Sequence, residues 1–359
     1  MDQAKNGGGR GRPYPFIIEP REVEAIWGGH ALVEHYGKPG SASAKIGESW
    51  ECWDANRVRN GRCAGKTIAH LRGELGPELM GPLDSKRTFP VLTKLIDARH
   101  ALSVQVHPDD AYAQRVEGQP NGKTECWYVL EAEPDASIVL GWNRDTSRGE
   151  YLERVADGSL EALLRHVRVK PGDAFYLPAG TLHAIGRGVV LFEVQQASDL
   201  TYRIFDYNRV GPDGKPRPLH VDKAADVLEY HQSHAGALHA LEYELDGLRR
   251  TALVADSRFV VERIALEARP HGLDLEGLPL AVMALETPVE LEAHGETVRL
   301  EPYQTALAPA ALDVLMLRAI GPAATVLAAA PSADRDELPR RFARAAVPVG
   351  ESTNFMAQF

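Results

Sequence analysis

Three stretches of the chain carry side chains that could hold a metal ion or move a proton. In LSVQVH, residues 102–107, Leu102, Val104 and Val106 alternate with Ser103, Gln105 and His107. A strand with this period of two places the three polar groups on one face. In KTECWYVLE, residues 123–131, Lys123 and Glu125 stand near the start of another alternating strand, with Cys126 pointing the other way. The third stretch, GDAFYLPAGTLH from Gly172 to His183, has the spacing G-x5-P-x-G-x2-H. Gly172 permits a turn into a strand, Pro178 and Gly180 shape the next turn, and His183 follows it. Two imidazoles, a carboxylate and an amide oxygen make a mixed nitrogen–oxygen donor set if the fold gathers them. Such a set suits Zn²⁺, and also Mn²⁺, Fe²⁺ or Co²⁺. If it does not gather them, they are buried polar residues joined by hydrogen bonds.

Further charged groups stand in apolar runs. Glu193 in VVLFEVQQ shares a face with Leu191 and Gln195, and Arg203 sits between Tyr202 and Ile204 in TYRIFDYNR. Each is a candidate for catalysis, or for an ion pair between the two; Asp206 is a second possible partner for Arg203. Lys94 follows FPVLT and is either a site lysine or a strand lysine reaching for solvent. Ser103 could hold an anion or bond the backbone. Glu48 and Glu51 flank Trp50 in GESWE and either line a site or belong to a turn packing Trp50 and Trp53. His30, His35, His220 and His231 are read as structural or solvated.

The elements that would position these residues are mostly strands. Runs at 46–61, 89–107, 123–131, 166–169, 174–177, 189–196 and 201–207 are extended. Helices are expected at about 67–80, 109–117, 146–165 and 222–229. Thr67 can cap the first and Thr146 or Ser147 the third, and Leu71, Leu75 and Leu79 recur every four positions. A polar linker, 232–238, precedes an all-β region at 239–331. There GETVRLEPYQTALAPAALDV echoes the earlier Gly-Pro turn, with Pro309 in the place of Pro178 and no following histidine. We expect a Gly- and Arg-rich, disordered N-terminus over 1–14, a first unit over 15–231, a second, metal-free unit over 239–331, and a tail over 332–359 forming one exposed helix.

With 359 residues, two or at most three domains are expected. Apolar content of 44% and charged content of 25% are those of a globular chain able to bury a large core. The net charge of −10, without a Lys/Arg run, argues against a nucleic-acid partner. Cys52, Cys63 and Cys126 are odd in number and form no C-x-x-C, so neither a disulfide framework nor a cysteine-rich zinc site is expected. There is no signal-peptide-like start and no apolar run of membrane length, which reads as a cytoplasmic protein.

The Gly172–His183 pattern resembles the second signature of the cupin superfamily, small jelly-roll barrels with a metal at the mouth. The first signature is altered here to Gln105-x-His107 with Glu125 later. In order, LSVQVHPDD, GKTECWYVL, PGDAFYLPAGTLHAIG and EVQQASDLTYRIFDYNR resemble type I mannose-6-phosphate isomerase (phosphomannose isomerase) in its shorter bacterial form. So do IWGG at 26–29, GESWE at 47–51 and LHVDKA at 219–224. The resemblance spans roughly residues 15–330. It implies two cupin-like barrels with a small helical insertion. It also implies one Zn²⁺ on Gln105, His107, Glu125 and His183, and interconversion of mannose 6-phosphate and fructose 6-phosphate through an enediol. Lys123, Arg203 and Glu193 match its catalytic positions, and Ser103 and Lys94 match the family's serine and lysine; with Glu48 these are the candidate substrate-binding residues. The partner expected is a phosphorylated hexose, with the chain a monomer or homodimer. The alternatives are another metal cupin enzyme, such as an oxygenase, and a non-catalytic sugar-binding cupin.

Overall fold

A computed structural model describes residues 12–41, 43–211 and 214–359, so most of the N-terminal segment expected to be disordered lies outside the described residues. The chain is mostly β. Four antiparallel sheets stack in two facing pairs. The first pair joins a six-stranded sheet, in the order 174–177, 125–132, 189–196, 91–98, 46–52, 21–29, to a five-stranded sheet ordered 202–205, 104–106, 183–185, 137–142, 164–168. The second joins an eight-stranded sheet, ordered 241–245, 248–255, 259–267, 323–331, 280–284, 305–308, 16–19, 57–58, to a four-stranded sheet ordered 271–274, 314–319, 289–293, 296–300.

The two pairs share one topology. Counting strands from residue 21 in the first pair and from 241 in the second, both large sheets run 8-5-10-3-2-1, and both small sheets contain 4-9-6-7. The strand of Glu125 is the topological counterpart of Leu280–Ala284, and that of His183 is the counterpart of Val314–Ala319. Neither counterpart carries a histidine or a carboxylate.

Each pair encloses an apolar core, one around Trp127, Phe175 and Leu191, the other around Ile264, Leu291 and Val326. A third core lies between the large sheets. Phe192, Val194 and Cys126 there meet Phe259, Val261 and Leu327. The six-stranded sheet is therefore covered on both faces, and its strands read as near-continuous apolar runs. Cys126 faces this second layer, away from Glu125, as expected. The three cysteines are buried and unpaired.

Three boundaries differ from the sequence reading. Tyr14 is not part of a disordered terminus: it is 2% exposed and its hydroxyl donates to the carbonyl of Asn60. Phe16–Glu19 and Arg57–Val58 fall within the expected first unit but extend the second unit's sheet: Phe16 and Ile17 pair with the edge at Thr305–Ala308, and Arg57–Val58 pair in turn with Ile18 and Glu19. The tail forms two helices, Glu337–Arg344 and Val349–Met356, each with one face packed on the protein and the other exposed. Leu338, Phe342 and Phe355 bury against Tyr243 and Val260, and Arg341 lies against Glu262, Glu276 and Glu337.

The helices begin and end where local chemistry dictates. Thr67 accepts from the His70 amide, and Ile68–Leu75 stops at Gly76, whose φ of 54° no helix continues; Pro77 then starts a separate turn. Arg148–Ala156 starts on Ser147, whose hydroxyl accepts from the Glu150 amide at 3.2 Å. Ser147→Ala should therefore cost about 1 kcal/mol of stability, read from the shift in a urea unfolding midpoint. No helix among the described residues is long and apolar enough to cross a membrane.

Candidate metal centre and substrate cleft

Strand pairing brings the expected donors together. His183 lies directly opposite Gln105, and Gln105 is in turn opposite Arg203, so these three sit abreast on the five-stranded sheet. Across the core, Glu125 lies beside Gln195 and Leu177, and one row away Lys94, Glu193 and Trp127 lie side by side. Val104, Val106, Ala184, Tyr202 and Ile204 bury on the outer face of the five-stranded sheet beneath the helices, which turns the intervening residues inward.

His183 reaches its place through a turn that needs glycine. Gly180 has φ +88°, and a Cβ there would meet the Val227 carbonyl at 3.1 Å. The imidazole is then oriented by its own turn: Nδ1 lies 2.8 Å from the Thr181 carbonyl. His107 is held in the same way, with Nδ1 2.8 Å from the Leu200 carbonyl. A carbonyl can only accept, so each Nδ1 carries the proton and each Nε2 presents a lone pair. Both lone pairs face Glu125: His107 Nε2 is 3.5 Å from Oε2, and His183 Nε2 is 3.2 Å from Oε1.

The residues present fit a metal ion. One donor atom from each of His107, Glu125 and His183 lies within 4.8 Å of the others, and all three residues are buried. His183 Nε2 and both Glu125 oxygens make no hydrogen bond of good geometry, a costly state for buried polar atoms that an ion would relieve. A cation already stands against them, since Lys123 Nζ is 2.8 Å from Glu125 Oε2 and 3.3 Å from His107 Nε2. Burial, and after it the Lys123 ammonium, hold His107 well below the usual histidine range, so it is neutral. Burial pushes the Glu125 carboxyl upward. The Lys123 ammonium leads the opposing effects, and Glu125 stays well below the usual carboxylate range. A neutral His107 imidazole and an ionised Glu125 carboxylate are the protonation states that metal binding requires.

Beside the triad opens a cleft of about 290 Å³. Gln105, Lys123, Ser103, Lys94, Glu48, Glu193 and Arg203 all line it, so every expected site residue outside the triad converges there. Lys94 bridges two carboxylates, 3.3 Å from Glu48 and 3.3 Å from Glu193, and does not reach for bulk solvent. Glu48 also accepts from the Trp50 indole at 2.7 Å. Burial and the Glu125 charge raise the Glu193 carboxyl against the opposing Lys94 and Lys123, which moves it toward the range of a proton acceptor at neutral pH. Glu51 faces elsewhere, paired with Lys38 at 2.7 Å.

Arg203 forms no ion pair among the described residues. The pairing with Asp206 or Glu193 considered from sequence is not made; Arg203 Nη1 donates to the Pro218 carbonyl at 3.0 Å instead, and its amide donates to His220 Nδ1. Asp206 is taken by two other arginines, Arg217 through Nε at 2.7 Å and Nη2 at 2.6 Å, and Arg209 through Nη2. Arg217 lines the cleft, and the sequence reading does not anticipate it. Arg203 and Arg217 line the cleft together with Asp199, and with Arg209 behind them they set three guanidiniums around the Asp206 carboxylate, an excess of positive charge at this end.

Comparison with known proteins agrees with this geometry. Residues 16–139 match the family described as phosphomannose isomerase type I, catalytic domain. The chain is 43% identical over 219 residues to a probable mannose-6-phosphate isomerase, GmuF, of Bacillus subtilis, covering 60% of this chain and 68% of that protein. It is 41% identical over 254 residues to mannose-6-phosphate isomerase ManA of the same organism, covering 69% and 78%. Its fold superposes on the crystal structure of the Bacillus subtilis mannose 6-phosphate isomerase with a TM-score of 0.79 at 31% identity, over 88% of this chain and 99% of that one. A zinc-bound mannose 6-phosphate isomerase shares the fold at 14% identity, with a TM-score of 0.70. With its buried His-Glu-His group and these relatives, the chain belongs to the type I mannose-6-phosphate isomerases.

Proposed function

We propose that the cleft interconverts mannose 6-phosphate and fructose 6-phosphate through an enediol, with one Zn²⁺ held by Gln105, His107, Glu125 and His183. The observation that carries this reading is the polarity of the cleft: a metal-fitting triad and a buried carboxylate at one end, unneutralised guanidinium charge at the other. A phosphorylated sugar with a carbonyl far from its phosphate matches both ends. The bound ion would polarise the sugar oxygens where negative charge develops.

The chain's own residues account for the rest. Glu193 removes the C2 proton of the aldose; the C–H pair becomes the C1–C2 double bond and the carbonyl pair moves onto O1. A proton passes from the O2 hydroxyl to O1, the C2 carbonyl forms, and Glu193 returns its proton to C1. The reverse direction exchanges the two carbons. Lys123 and Arg203 face the developing oxygen charge. Lys94 and Glu48 hold sugar hydroxyls at the apolar–polar border near Trp50. Ser103 and Arg217 take the phosphate, with Asp206 and Arg209 fixing the Arg217 fork. The two sheet pairs of identical strand order read as two cupin-like jelly rolls, the second without metal. A cytoplasmic setting suits both the substrate and the unpaired buried cysteines.

A coupled assay for fructose 6-phosphate, run in D₂O on zinc-loaded protein, tests the reading. Turnover with deuterium entering the product at the exchanged carbon is expected. Turnover without deuterium points to a hydride shift, and no turnover sinks the assignment. Arg217→Gln should raise KM for mannose 6-phosphate about tenfold, the loss of roughly 1.4 kcal/mol expected for one charge-assisted pair, with kcat nearly kept. Unchanged KM would remove Arg217 from the phosphate site.

A further inference from the structure

Trp127 touches both halves of this chemistry. It is 1% exposed and lies beside Glu193 in the strand register, two residues after Glu125. Its indole N–H donates to Glu193 Oε2 at 3.0 Å. Its ring meets the His183 imidazole edge-on, with centroids 5.4 Å apart and planes at 79°. The other Glu193 oxygen, Oε1, is buried without a hydrogen bond among the described residues and is ion-paired with Lys94 at 3.3 Å.

These contacts divide the carboxylate. An indole N–H is a donor and nothing else, so Oε2 is committed to it as long as Glu193 is ionised. Oε1 is left as the atom able to take a proton, and Glu193 lines the cleft. The same ring abuts a metal ligand, so a single rigid side chain sets the separation between the proton acceptor and the metal end of the site. We propose that Trp127 is a positioning residue: it selects Oε1 of Glu193 as the proton-carrying atom and fixes its distance from His183. The proposal rests on Glu193 being the base.

Without the N–H, a buried carboxylate oxygen loses its partner and the group can turn, so both oxygens compete for Lys94. Proton transfer then starts from a mixture of orientations, most of them unproductive. The charged form of Glu193 is also less favoured, so its pKa rises. Packing alone predicts none of this, since Trp127 also belongs to the apolar core and a ring of equal shape would satisfy that role.

The test replaces Trp127 with benzothienylalanine, which keeps the bicyclic shape and exchanges the N–H for sulfur, with Trp127→Phe as a second variant. For the zinc-loaded full chain, kcat should fall about ten- to hundredfold with zinc content, melting temperature and KM little changed. The acid limb of the pH profile should move to higher pH. In a Glu193→Gln background the same replacement should have almost no further effect, because the two residues act as one unit. If the isostere leaves kcat and the acid limb unchanged while Glu193→Gln is crippled, Glu193 stands as the base and the positioning role is overturned. The same holds if the isostere costs as much in the Glu193→Gln background as in the native protein. If Glu193→Gln keeps full activity, the base assignment fails and the role of Trp127 fails with it.

Discussion

Replacing His183 with Ala is expected to abolish zinc binding and turnover together. His183 supplies one of three buried donors, and its Nε2 has no hydrogen-bonding partner among the described residues. Its orientation is already fixed by the Thr181 carbonyl, so no entropy is spent to aim the lone pair. Removing it leaves the Glu125 carboxylate, the His107 imidazole and the weakly donating Gln105 amide oxygen, too few strong donors for a tight site. Loss of the ion's charge stabilisation, several kcal/mol of barrier, corresponds to about a thousandfold or more in kcat. Zinc per chain by mass spectrometry and the coupled assay read the two losses independently. His183→Leu, closer in volume and without a donor atom, should show the same zinc loss with less effect on melting, which separates ligand loss from a collapsed cavity. Full zinc occupancy in either variant would remove His183 from the centre.

The residues of this centre were legible because the signals behind them are local. Ser103, Gln105 and His107 alternate with three apolar residues on a strand whose outer face is sealed by helices, so period two survives there. The Gly172-to-His183 turn is written in Gly and Pro, whose backbone demands do not depend on distant partners. Glu193 and Trp127 are harder to place. Their strands belong to a sheet packed on both faces, where apolar residues stand on either side and alternation no longer says which face is the lumen. Arg217 is beyond periodicity altogether. It acts through Asp206, eleven positions upstream across irregular chain, and neither residue carries a local mark of the pairing. The tail was misread for a similar reason. The apolar stripe of Leu338 and Phe342 was present, but its partners Tyr243 and Val260 are about 80 to 95 residues away in sequence. Phe16–Glu19 likewise finds its edge nearly 300 residues downstream.

Arg203→Ala should keep the metal and lose most of kcat. The argument turns on how differently the three arginines near Asp206 are used. Arg209 and Arg217 spend their charge on that carboxylate. Arg203 has no carboxylate partner, lies half-buried in the cleft wall, and is held by one bond to the Pro218 carbonyl. Burial and the nearby Arg217 guanidinium lower its pKa from the ordinary arginine value, yet it remains a cation at neutral pH. A fixed, uncompensated charge beside Gln105 contributes most when negative charge appears on substrate oxygen, which happens in the transition state and not in the bound sugar. Its removal should therefore cost about 2–4 kcal/mol in kcat with a smaller change in KM. Stability should hardly move, because no ion pair is broken. Arg203→Lys should recover part of the rate, keeping the charge but not the planar fork. If kcat in Arg203→Ala equals the native value, the Arg203 side chain serves only to anchor the 217–220 segment through the Pro218 carbonyl. The melting temperature would then fall while the chemistry stayed intact, the reverse of the pattern expected for charge stabilisation.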